Sequence, residues 1–267
     1  MKSKLLVRPQ RSDPAGCILR ITPESAGWKY VGFEVFKLLP GQVLKPDTRG
    51  RELCIVLVGG STTVDINGKS CGVIGERRNP FEGKPSAVYV PPETDVSLQA
   101  QTDLEVAVCA APAVGRFQPR VIRPSDMDEE VRGSGTNTRY VRNILPETRE
   151  AERLLIAEVL TPGGHWSSYP PHKHDTSGDG ETQLEETYYH RLANTGGFAF
   201  QRVYTDDRSL DESFAVEDGD VVLVPRGYHP VGAPHGIDLY YLNTMAGPER
   251  RWQFRNAPGY EFLTTRR

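Results

Sequence analysis

The sequence predicts an all-β protein built from two similar halves, of a length that suits one large all-β unit or two barrels, and three observations lead there. Short runs rich in Val, Ile, Leu and Tyr are cut by Pro-Gly, Gly-Gly and Asn-Gly turn signals, the pattern of packed antiparallel sheets. Long stretches of helical period are scarce, and 26 Gly and 21 Pro among 267 residues leave little room for them. The second half of the chain also repeats, in order, the features of the first. At this length the chain can bury a sizeable core without help from a partner.

Along the chain, GWKYVGFEVFKLLPG, ELCIVLVGGSTTVDING, SAVYVPPETDVSLQAQ and LEVAVCAAP read as the strands and turns of a first barrel, residues 1–115. A polar stretch from Arg116 to Asn137 is dense in charge, Gly and Ser and reads as a solvated connection, so residues 116–150 are assigned as a connecting segment. PETREAERLL is the one short helical pattern, with acidic residues preceding basic ones at helical spacing. Residues 151–267 form the second barrel. There, EETYYHRLANTGGFAFQ and EDGDVVLVPRGYHPVGAPHGIDLYYLNTMAGP lie over the first-half segments, which places Glu52 opposite Glu186 in the overlay.

A net charge of -3 supplies no global basic field, so nucleic acid is not expected as a partner. The mean hydropathy is -0.48 and no run of about 18 apolar residues occurs. The start MKSKLLVRPQRSD lacks the apolar stretch of a signal peptide, and the chain reads as soluble and cytoplasmic, with no membrane association. Cys17, Cys54, Cys71 and Cys109 are widely spaced, form no C-x-x-C pair and read as reduced core thiols.

All six histidines, at positions 165, 172, 174, 190, 229 and 235, fall in the second half. Whatever metal or proton chemistry the chain performs is expected there. His172 and His174 flank Lys173, and on a strand residues two apart project to one face, so both imidazoles can reach one ion. Glu185 and Glu186 open the next strand, and neighbours on a strand face opposite ways, so only one of them can point inward. His229 follows VVLVP through a Pro-Arg-Gly turn. Three imidazoles and a carboxylate make a donor set suited to zinc, iron(II), manganese, nickel or copper, with room for a water or substrate oxygen.

H-x-H, a Glu leading a Tyr-rich strand and then GDVVLVPRGYH resemble the two motifs of the cupins, whose strands line a small jelly-roll barrel. The resemblance implies a ligand set of His172, His174, Glu186 and His229. Two departures stand out: a long gap from His174 to Glu186, and one residue rather than two between Gly227 and His229. The second leaves His235 as a rival for the last ligand. More narrowly, WSSYPPHKHD, LEETYYHR, FQRVYTDDRSLDE, GDVVLVPRGYHPVGAP and YYLNTMAGP resemble the 5-deoxy-glucuronate isomerase family of bacterial myo-inositol catabolism, which are bicupins. The likeness covers most of residues 155–255 and, more loosely, the first half. It implies an aldose-ketose isomerase acting on a small uronate, with one divalent metal (Zn, Mn or Fe) in the C-terminal barrel.

Such a reaction needs a group to carry a proton and a cation to hold a carboxylate. Tyr188 and His190 share Glu186's face by parity and are the catalytic candidates, with packed core tyrosines the competing reading. Arg202 is the first choice for the carboxylate, with Lys173 and Arg226 as alternatives; Tyr204, Tyr241 and Asn243 are further candidates for contacts to the substrate. Arg49 and Arg51 stand where an H-x-H would be expected in the first barrel, so that barrel is expected to be metal-free. A homo-oligomer is left open. A metal-dependent dioxygenase and a non-catalytic sugar-acid-binding module are the competing classes.

Overall fold

The computed structural model describes residues 3–178 and 180–264. The chain divides into two compact units. One comprises Pro9–Asp128 and Arg142–Ala157, the other Met1–Arg8, Glu129–Val141 and Glu158–Arg267.

In the first unit a six-stranded sheet has the order Arg120–Ile122, Ala87–Val90, Arg51–Gly59, Leu104–Pro112, Gly32–Leu38, Cys17–Ile21. A four-stranded sheet has the order Val43–Leu44, Val96–Ala100, Thr62–Ile66, Lys69–Ile74. Alternate residues of these strands, such as Leu53, Ile55 and Leu57 on one and Val106 and Val108 on its neighbour, fill an apolar core between the two sheets.

The second unit repeats this wiring. The strands Val221–Val224, Glu185–Leu192, Leu239–Ala246 and Leu155–Thr161 are neighbours in one sheet, the same succession as Ala87–Val90, Arg51–Gly59, Leu104–Pro112 and Gly32–Leu38. Trp166–Ser167, Val231–Gly232, Ala199–Tyr204 and Asp211–Val216 form a second sheet, matching the four-stranded sheet of the first unit. Repetition of strand order in both sheets is the mark of an internal duplication.

The register corrects the sequence overlay by one residue. Leu53 pairs with Val90 just before Pro91, and Glu186 pairs with Val224 just before Pro225. Leu53, and not Glu52, therefore occupies the place of Glu186. A one-residue slip turns a side chain to the other face of its sheet, and Glu52 lies outside the apolar interior that contains Leu53. There its fully buried carboxylate accepts hydrogen bonds from the amides of Glu152 (2.8 Å), Arg153 (2.6 Å) and Leu154 (2.8 Å) and from the Tyr89 hydroxyl (2.7 Å).

The same bonds explain why PETREAERLL is not a helix. The chain from Pro146 to Leu154 runs as turns and irregular backbone, because the amides of its last three residues are taken by Glu52. Glu152 itself accepts from the amides of Val114, Gly115 and Arg116. Nor are residues 116–150 a plain linker: they carry the strands Arg120–Ile122, Glu129–Arg132 and Arg139–Leu145. All four cysteines are free thiols, with Cys17, Cys54 and Cys109 buried and Cys71 partly so.

Candidate metal centre

His172 and Lys173 form a two-residue strand paired with Arg255–Asn256. The alternation of faces sorts the three neighbours as the sequence suggested. His172 and His174 turn inward, while Lys173 turns to a carboxylate cluster, with its Nζ 3.0 Å from Asp175, 3.3 Å from Asp206 and 3.9 Å from Glu181. The long segment between His174 and Glu186 is folded on Glu181, whose Oε1 accepts from the amides of Asp175 and Thr176.

Glu186 turns inward from the Glu185–Leu192 strand and is 1 % exposed. Its Oε2 lies 2.9 Å from Nε2 of His174 and 3.3 Å from Nε2 of His229. The shortened spacing before His229 has a local cause. Gly227 has φ +88°, and a Cβ there would run into the carbonyl of Tyr204, so only glycine fits. Its amide donates to Asp175 (2.7 Å), and its carbonyl receives Nδ1–H of His229 (2.8 Å).

One ligand atom from each of His172, His174 and His229 lies within 4.8 Å of the others, and all three residues are buried. In each ring Nδ1 faces a backbone carbonyl: Pro170 for His172, Leu184 for His174 and Gly227 for His229. For His172 and His229 those contacts favour the tautomer that leaves Nε2 with a free lone pair, whereas Nε2 of His174 faces the Glu186 carboxylate. Nε2 of His229 is buried without a hydrogen bond. Burial drives His172 and His229 down to about 3, so both are neutral at ordinary pH. Burial also works against protonation of His174, but the hydrogen bond and charge of Glu186 outweigh it and raise that group. His235 is not part of the cluster.

Beside the imidazoles lies a small cavity lined by Arg132, Arg139, Ser168, His172, Tyr188, Tyr241, Asn243 and Trp252, with Val141 and Val159. The Tyr188 hydroxyl is 2.8 Å from Ser168 Oγ, and that of Tyr241 is 2.5 Å from Ser167 Oγ. Burial, reinforced by the charge of Glu186, lifts Tyr188 well above the ordinary phenol range, and burial raises Tyr241 too; both stay protonated at neutral pH. His190 is fully buried, with Nε2 2.8 Å from Oε1 of Gln201 and Nδ1 unpartnered; burial lowers it to about 4.

Arg202 and Tyr204 lie elsewhere. Arg202 is exposed, pairs with Asp211 at 2.7 and 2.6 Å and sits over the Tyr204 ring. Both line a separate cavity of about 490 Å³ with Trp166, Tyr169, Phe200 and Tyr260. Arg226 is also exposed, with Nη2 3.4 Å from Ser209 Oγ. The residue of that strand that reaches His190 is Gln201. Ala199, Gln201 and Val203 are all buried, and this alternation with small apolar neighbours was the signal that could have found it. Arg132 and Arg139, which line the cavity, were not among the sequence candidates because both fall within residues 116–150, assigned as a connecting segment.

Two barrels of one strand order, the second holding three histidines and a glutamate, define a bicupin. A solved oxalate decarboxylase of Lactobacillus farciminis in complex with formate shares this fold, with a TM-score of 0.69 at 12 % identity over 100 % of this chain and 92 % of that one. Residues 5–263 match the KduI/IolB family, and the chain belongs to it. A 5-deoxy-glucuronate isomerase of Geobacillus thermodenitrificans is 50 % identical over 263 residues, 98 % of this chain and 96 % of that protein. An IolB-like protein of Salmonella typhimurium LT2 superposes with a TM-score of 0.94 at 47 % identity, covering 98 % of this chain and 99 % of that one. The chain is an enzyme of the isomerase class.

Proposed function

We propose that this chain is a metal-dependent aldose-ketose isomerase that converts 5-deoxy-D-glucuronate to 2-deoxy-5-keto-D-gluconate in myo-inositol catabolism. The observation that carries the metal is the convergence of three imidazoles, each with Nδ1 facing a carbonyl, on one buried carboxylate. The donors fit a divalent ion: a mixed N/O set with an unpartnered buried nitrogen suits Zn, Mn or Fe. When bound, such an ion polarises the aldehyde and the neighbouring hydroxyl and acidifies the C–H between them.

The chain's own groups supply the rest. Glu186 brings one negative charge to the cluster. The Tyr188 and Tyr241 hydroxyls, each fixed by a serine, donate hydrogen bonds to substrate oxygens. His190 is neutral, with its Nε2–H given to Gln201 and a lone pair on Nδ1; it is the candidate to carry a proton between the two carbons.

The test is to incubate metal-loaded protein with 5-deoxy-D-glucuronate in deuterated water and follow the aldehyde by NMR. Loss of the aldehyde signal with solvent deuterium at the carbon that accepts hydrogen supports the reading. A stable aldehyde signal, or consumption of oxygen during turnover, refutes it.

A further inference from the structure

Arg139 opens the strand Arg139–Leu145 and lines the cavity that also contains His172, Tyr188 and Tyr241. Its only hydrogen bond among the described residues runs from Nη1 to the carbonyl of Asn137, at 3.1 Å. No carboxylate of the described residues pairs with it. Other arginines of the same unit differ in this respect: Arg132, which lines the same cavity, is bound to Glu130, and farther off Arg191 is bound to Asp218 and Arg202 to Asp211.

The backbone is arranged to keep this guanidinium in place. Gly133 has φ +78°, and a Cβ there would come within 2.7 Å of Nη1 of Arg139. Two further bonds tie down the approach to the strand: Asn137 Nδ2 donates to the carbonyl of Tyr169, and Nδ1 of His165 lies 2.9 Å from the carbonyl of Thr138. A partly buried guanidinium with open donors is costly unless an anion completes it. The geometry of a guanidinium fork matches a carboxylate.

We propose that Arg139 receives the terminal carboxylate of the substrate, and that this contact makes the site select sugar acids. The aldehyde end then lies toward the imidazole cluster, which shares His172 with the cavity wall. Arg132, already paired and held over the Trp252 ring at 5.3 Å, adds positive field without supplying the fork. The proposal rests on the sugar-acid activity above and replaces Arg202 as the carboxylate partner.

The experiment compares the metal-loaded wild type with Arg139→Gln and Arg139→Lys, using 5-deoxy-D-glucuronate as the probe. Arg139→Gln is expected to raise KM about 100-fold and leave kcat within about threefold, because the contact is made equally in the ground and transition states. Arg139→Lys, which keeps the charge and loses the fork, is expected to fall between, about tenfold above wild type. An unchanged KM in Arg139→Gln, or a lowered kcat at constant KM, overturns the proposal. If the Gln variant does not fold, the Lys variant decides, and an unchanged KM there has the same force. Should the wild type show no turnover, calorimetric binding of the same sugar acid separates the two readings. Binding weakened about 100-fold in Arg139→Gln keeps the carboxylate site while the isomerase reading falls. Equal binding in both removes the site.

Discussion

Replacing His190 by Gln isolates one buried titrating group away from the ligand cluster. His190 is 0 % exposed and lowered by burial to about 4, from an ordinary value of 6.5. Because the folded-state value is depressed, the unfolded chain takes up a proton first as the pH falls. The stability owed to the neutral ring is fully present above 6.5 and is lost between 6.5 and about 4. A shift of that size corresponds to about 3 kcal/mol, a sizeable part of the stability of an ordinary domain. The assay is urea unfolding of metal-stripped wild type and His190→Gln at half-unit steps from pH 7.5 to 4. The amide of the variant does not titrate, so its stability relative to wild type should improve by about 3 kcal/mol across the window, whatever its absolute value at pH 7.5. A difference between the two proteins that stays flat with pH refutes a buried neutral imidazole at this position.

Three other outcomes are expected. His229→Ala removes a ligand and should drop bound metal from about one ion per chain to a small fraction by elemental analysis, with the first unit still folded. Glu52→Ala leaves three amides and the Tyr89 hydroxyl without an acceptor and should cost about 4 kcal/mol, a fall of roughly 10 °C in Tm by calorimetry, at unchanged metal content. Arg202→Ala breaks an exposed pair with Asp211 and a contact over the Tyr204 ring, both away from the imidazoles, and should leave kcat/KM within about twofold.

The gathering of His172 and His174 was legible in the sequence because their spacing is local, and His229 was added only by its motif. Parity places His172 and His174 on one face and Lys173 on the other, and the strand that begins at Glu185 admits only one inward carboxylate. The fold class was legible for a similar reason, since strand and turn signals repeat in order. What parity cannot supply is absolute direction. Arg202 and Gln201 differ by one residue and face opposite ways, and the chemical appeal of a guanidinium outweighed the small apolar neighbours that mark Gln201 as inward. The overlay of Glu52 on Glu186 failed by the same single step, because two acidic residues at strand starts look alike while their registers do not. Arg139 was hidden by composition: a charged, Gly-rich stretch resembles a loop, and the strand within it becomes evident only through pairing.

The one-residue offset between the two barrels also bears on how each tolerates change. At the position where the second barrel presents Glu186, the first presents Leu53, inside an interior of aliphatic side chains. Exchanges among aliphatic residues that conserve volume should pass there with little effect. The corresponding interior of the second barrel is occupied by imidazoles, phenols and a carboxylate whose partners are specific, so few replacements can satisfy the same bonds. Two copies of one architecture should therefore drift at different rates, the first tracking volume and the second tracking chemistry. Random mutagenesis with selection for growth would record this as a broad spectrum of accepted side chains at Leu53, Ile55 and Val108 beside a nearly fixed one at Glu186, Tyr188 and Tyr241.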